Sequence, residues 1–116
     1  MEFQATLRFA RISPKKVRPV ARLIKDMPLN QALTVLRYEK RRAASILHKL
    51  VRAAWANAQE KDIGLDEDDF FVKVAWADQG PSVRRLRPRS MGRAIIIRRR
   101  SSHITVVLSD GGDEEA

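Results

Sequence analysis

Cysteine is absent from this 116-residue chain, so disulfide scaffolds and cysteine-ligated zinc are excluded at once. Histidine occurs only at positions 48 and 103. No glycine-rich phosphate loop precedes a helix, and neither imidazole has an identifiable partner for general-base work. No catalytic residue, cofactor or metal is therefore expected. Long apolar runs are missing as well: nothing approaches the roughly 18 to 20 residues of a membrane-crossing helix. Met1 leads into Glu2-Phe3-Gln4-Ala5 rather than into a basic and then apolar leader, so a soluble, unsecreted protein is expected. The most informative absence is that of acid. Between Gln79 and Ser109 there is no Asp or Glu, and eight arginines give this segment +8 of the chain's formal +9. Guanidinium groups crowded in this way repel one another unless a dense polyanion neutralises them, which points to nucleic acid. An anionic membrane surface is disfavoured, because the arginines do not alternate with bulky apolar residues on a helical pattern.

The chain is long enough for one domain with a modest core. Phe3, Ala5, Leu7 and Phe9 alternate with Gln4, Thr6, Arg8 and Ala10, which predicts a first strand burying Phe3, Ala5, Leu7 and Phe9 on one face. Ser13-Pro14 supplies an N-cap and a first-turn proline for a short helix striped by Val17, Val20, Ala21 and Ile24. Pro19 lacks the N–H that the Lys15 carbonyl needs, so a kink or irregular turn is expected between Lys15 and Pro19. Leu29, Ala32, Leu33 and Leu36 mark a second helix. A longer one is expected from about Lys40 to Lys61, with Ala43, Leu47, Leu50, Val51, Ala54 and Ala58 on one face and Gly64 near its end. Asp66-Glu67-Asp68-Asp69 lacks the glycine and the closing glutamate of an EF-hand and reads as a solvated connection. Phe70, Val72, Val74 and Trp76 define a second strand, with Trp76 in the core, and Ile104, Val106 and Leu108 a third. Trp55 can be read either as core or as a base-stacking residue. The terminal residues 111–116 read as a disordered acidic tail.

A structureless link from Ala77 to His103 would be unusual in so small a domain. Val83, Leu86 and Ile95 to Ile97 have strand character around a turn-like Arg87-Pro88-Arg89-Ser90-Met91-Gly92, so the segment is expected to form a hairpin arm of about 78–103. Its reach would be roughly 30 to 40 Å. The candidate nucleic-acid ligands on it are Arg84, Arg85, Arg87, Arg89, Arg93, Arg98, Arg99 and Arg100. All are the planar forks that grip phosphate and stack on bases in folded RNA. A second basic patch, Arg11, Lys15, Lys16 and Arg18, lies at the start of the first helix, where backbone N–H groups also favour phosphate. It reads equally as a solvated face. His103, after Ser101-Ser102, is either a nucleic-acid contact or a cap at the start of its strand.

Several segments together closely resemble bacterial-type large-subunit ribosomal protein twenty-two. They are Arg11-Ile12-Ser13-Pro14-Lys15-Lys16-Val17-Arg18, Ala56-Asn57-Ala58, Gly80-Pro81, Arg87-Pro88-Arg89 with Gly92-Arg93-Ala94, and Ser102-His103-Ile104-Thr105-Val106-Val107. The match runs in order from about Leu7 to Leu108. The resemblance implies an α+β domain, a three-stranded antiparallel sheet packed against three helices, with the long basic β-hairpin protruding from it. It implies a monomer within the cytoplasmic ribosome, bound to large-subunit rRNA and neighbouring ribosomal proteins, with Ser102 and His103 joining the basic residues as rRNA contacts. It also implies that the hairpin tip, Arg87, Pro88, Arg89, Ser90, Met91, Gly92 and Arg93, lines the exit tunnel where the nascent polypeptide passes. Three positions depart from the family pattern: Pro19 replaces an aliphatic residue, Ser90-Met91 an Ala-Arg pair, and Ser101 a threonine. The expected organisation is thus one rRNA-binding domain over 1–110, followed by the tail. The rival reading is a DNA-bending architectural protein that uses a basic β-arm with Pro88 or Met91 as a wedge, which would favour a homodimer with paired arms. A hydrolase using His103 is more remote.

Overall fold

The computed structural model describes residues 2–61, 64–81, 83–88 and 94–110, and for 83–88 and 94–99 the course of the backbone. The elements are β1 (Glu2–Ala10), α1 (Pro14–Ile24), α2 (Leu29–Tyr38), α3 (Arg42–Lys61), a single 3₁₀ turn (Glu67–Asp69), β2 (Phe71–Gln79), β3 (Val83–Pro88), β4 (Ala94–Arg99) and β5 (Ser102–Ser109). β1, β5 and β2 form an antiparallel sheet in that order, and β3 and β4 form a separate two-stranded sheet. This is the expected α+β architecture, 64 × 25 × 24 Å along its principal axes.

The central strand explains why the body holds together. Ile104, Val106 and Leu108 alternate along β5 and are fully buried, so each contributes roughly 1.5 to 3 kcal/mol of transfer free energy. They face the buried stripes of the three helices: Val17, Val20, Ala21 and Ile24 of α1, Leu29, Ala32 and Leu36 of α2, and Leu47, Leu50, Val51 and Ala54 of α3. Ala43, Ala44, Ala54 and Ala58 are small enough to let α3 lie close against its neighbours. Trp55 is core: it is buried, with its ring 5.3 Å from that of Phe70 at 61°. The base-stacking alternative for it is closed.

α1 stops where Lys25 turns extended and Asp26 takes a left-handed φ of 64°. The chain then runs beside β2: Asp26 N–H donates to the Val72 carbonyl at 2.7 Å, Val72 N–H to that of Met27 at 2.9 Å, and Leu29 N–H to that of Phe70 at 3.0 Å. The acidic connection closes its own turn. Asp66 Oδ1 accepts the Asp68 N–H at 3.0 Å, and Asp68 Oδ1 accepts from Asn30 Nδ2 at 2.7 Å.

Three expectations need correction. α1 runs unbroken through Pro19; Lys15 and Pro19 are both exposed, so water can serve the carbonyl that the proline leaves without a donor. Trp76 is not core but 38% exposed. A register shift between Val72 and Val74 inserts Lys73 into β2, and beyond it Ala75 and Ala77, opposite Val106 and Ile104, take the inward positions. A second shift lies between Leu7 and Ala10 of β1, where Phe9 adopts φ 59°. The expected apolar row therefore breaks after Leu7, which still pairs with the inward Ile104 though it is 39% exposed: Phe9 is 62% exposed, while Ala10 is buried. Each bulge changes the phase of the alternation, which a period-two reading cannot detect.

Candidate nucleic-acid interface

The arm continues the antiparallel ladder of β2 and β5. Gln79 pairs with Ser102, and beyond a short joint Val83 pairs with Arg99, a register that runs to Pro88 and Ala94. At the joint, Gly80 N–H donates to the Ser101 carbonyl at 2.9 Å, and Ser101 Oγ donates to the Pro81 carbonyl at 2.8 Å. The two chains come so close here that a Cβ on Gly80 would lie 2.6 Å from Ser101 Oγ. Glycine leaves the Ser101 hydroxyl room to lock that approach; a methyl here would push the hydroxyl aside.

The register brings Arg84 opposite Arg98, with Arg85 opposite Ile97 and Arg87 opposite Ile95. Like charges at directly opposed positions destabilise a ladder, so this pairing gains from a polyanion that neutralises both. Among the described residues β3 and β4 pair only with each other, and a two-stranded ribbon without a third strand or a helix behind it is marginal in water. Arg89, Ser90, Met91, Gly92 and Arg93 of the tip lie outside the described residues, as does the tail at 111–116.

At the body, Arg11, Lys15, Lys16 and Arg18 are exposed around the first turn of α1. That turn holds no acidic residue, and the Ser13 side chain makes no capping bond. Pro14 brings no N–H and that of Lys16 goes to the Ser13 carbonyl at 3.1 Å, so the patch relies mainly on its side-chain charges. Arg18 is steadied by donating from Nη2 to the Ala77 carbonyl at 3.4 Å. Arg100 is exposed beside the joint. Ser102 does not fit the contact role expected of it: it is buried, and its Oγ donates to the Ile12 carbonyl at 2.5 Å. It ties the loop before α1 to the start of β5, and so positions the Arg11 patch rather than touching a ligand. His103 is half-buried, its Nδ1 accepting the Phe9 N–H at 3.2 Å and its ring edge-on to Phe9 at 4.9 Å. The imidazole thus caps the bulge of β1 rather than the start of its own strand, and in the neutral form its proton sits on Nε2 as a donor. His48 lies elsewhere, beside α2; burial first, then the charges of Arg52 and Arg37, lower its pKa from the usual imidazole value.

Among the described residues no group of His, Cys, Asp or Glu could hold a metal ion, and no helix is long and apolar enough to cross a membrane. Sequence reasoning missed Arg8, which is exposed on the bulge of β1; only the register shift places it near the joint.

Residues 5–109 match the model of the family described as ribosomal protein L22p/L17e. A large ribosomal subunit protein uL22 of Pelotomaculum thermopropionicum is 50% identical over 110 residues, covering 95% of this chain and 96% of that one. The uL22 protein of Thermoanaerobacter pseudethanolicus is 46% identical over 110 residues, covering 95% and 98%. That of Myxococcus xanthus is 46% identical over 111 residues, covering 95% and 97%. With matches that span nearly the whole of both partners, the chain belongs to the ribosomal protein L22p/L17e family.

Proposed function

We propose that the protein is a structural constituent of the large subunit of the cytoplasmic ribosome, a single rRNA-binding domain over 1–110 with no catalytic step and no cofactor. Its body anchors on rRNA through Arg11, Lys15, Lys16 and Arg18, and its arm enters the RNA with Arg84, Arg85, Arg87, Arg89, Arg93, Arg98, Arg99 and Arg100. The observation that carries this reading is a ribbon with eight arginines, no acid and a register that opposes Arg84 to Arg98, on a chain of this family. The tip at Arg87 to Arg93 lines the exit tunnel, where Met91 offers the nascent polypeptide a flexible apolar contact that touches without holding. The protein sits there as a monomer among neighbouring ribosomal proteins. The DNA-bending alternative gains nothing from the fold, since three helices already cover one face of the sheet and no second copy is needed to complete the core.

The test is co-sedimentation. The protein is expected to stay with the large subunit through a high-salt wash, and release into the soluble fraction would overturn the assignment. A crosslinker at position 91 in translating ribosomes should reach the nascent peptide; if it reaches only rRNA, the tip does not face the lumen.

A further inference from the structure

The three helices pack on one face of the β1-β5-β2 sheet. The other face carries Gln4 and Thr6 of β1, His103, Thr105 and Val107 of β5, and Val74 and Trp76 of β2, and among the described residues no helix covers it. The cross-strand rows are continuous: Thr6 pairs with Thr105, their hydroxyls 3.2 Å apart, and Thr105 pairs with Trp76. One row nearer the arm, His103 pairs with Asp78 and packs against Phe9. The two bulges therefore turn outward aromatic residues that an uninterrupted alternation would have buried. Trp76, His103 and Phe9 stand on one surface, on three adjacent strands spaced about 4.8 Å apart. The indole is oriented rather than loose, with Nε1 donating to Asp78 Oδ2 at 3.2 Å.

We propose that this helix-free face is a second RNA contact, at which Trp76 and Phe9 stack on unpaired bases of a single strand while His103 Nε2–H donates to the same strand. The proposal rests on the RNA-binding reading above. Charge favours this occupant, since the one carboxylate that the indole bond brings into this patch, that of Asp78, faces three guanidinium groups. Arg8, Arg11 and Arg100 are exposed at the same end of the sheet and outnumber Asp78, supplying the cations that a nucleotide backbone needs beside the rings that its bases would stack on. Base stacking also accounts for the Trp76–Asp78 bond, since an indole held by its N–H presents a fixed π-face.

The experiment uses the full chain with two probes, a short single-stranded oligoadenylate and a fully paired RNA duplex of equal length. Oligoadenylate should quench the emission of the exposed Trp76. Trp76→Ala and Phe9→Ala should each weaken its binding roughly 5- to 150-fold, the range for loss of one stacked base, while duplex binding and the salt dependence stay as in the parent. Trp76→Phe, which keeps a ring, should restore most of the affinity and shows that the loss is not one of folding. Oligoadenylate affinities equal to the parent's in both alanine variants would overturn the proposal while leaving the RNA-binding function intact. Binding of neither probe by the parent protein would instead remove the function on which the proposal rests. Normal binding of both probes by Trp76→Ala, with poorer retention on the large subunit, would assign the face to a protein neighbour and overturn the proposal too.

Discussion

The three-stranded sheet and the arm are two stretches of nearly the same antiparallel ladder, since β2 leads into β3 and β4 returns into β5, yet they are stabilised by different means. In the body, Ile104, Val106 and Leu108 are sealed under three helices, and the driving force is removal of apolar surface from water. In the arm, β3 and β4 have only each other among the described residues, and their register opposes Arg84 to Arg98. One region brings its stabilising partner within the chain; on the proposed reading, the other would gain its partner from rRNA. The division teaches how so small a protein can carry so much charge: the buried core lies under the helices of the body, while the arginines are concentrated on the ladder beyond it.

The comparison can be broken most sharply by salt. Replacing Arg84, Arg85, Arg98 and Arg99 together with Gln should flatten the dependence of log affinity on log salt by about 3 units, since each phosphate contact contributes roughly 0.7 to 0.9. The melting temperature should hardly move. An unchanged slope would mean that the body, not the arm, carries the electrostatics. The converse change, Leu47→Ala in the fully buried stripe of α3, should cost about 2 to 5 kcal/mol in denaturant unfolding while leaving the salt slope of the remaining folded protein as it was. Equal effects of the two variants on stability would show that body and arm are not independent. The finest test lies at the joint. Gly80→Ala should cost about 1 kcal/mol, because the new methyl displaces the Ser101 hydroxyl from its bond to Pro81. Ser101→Thr, which keeps the hydroxyl, should be nearly neutral by the same thermal melt.

Much of this division was legible in the chain. The stripes of α1, α2 and α3 are periodic enough to place most of their buried residues, though not Ala44 or Trp55, and the lack of acid from Gln79 to Ser109 marks the arm without any structure. What escaped was phase. Nothing in Phe71-Val72-Lys73-Val74 announces an inserted residue, yet it turns Trp76 outward. Nothing in Arg8-Phe9 announces a left-handed backbone, yet it exposes Phe9 and hands its N–H to His103. Pro19 misled because, on an exposed face, water can serve the orphaned carbonyl and lessen the cost of an interior proline. Ser102 was expected to be a ligand only through the family resemblance, and only the fold shows its hydroxyl turned to Ile12.

The joint at Gly80 also fixes how the arm could be altered. Three residues, 80 to 82, separate β2 from β3, while two, 100 and 101, separate β4 from β5, so an odd residue there sets the rotational phase of the ribbon against the body. Because side chains alternate in pairs along a ladder, lengthening or shortening the arm by two residues on each strand would keep every arginine pointing as before, and a change of one would turn the whole ribbon over. The reach of the protein into its surroundings is therefore adjustable only in steps of about 6.6 Å, with the body left untouched.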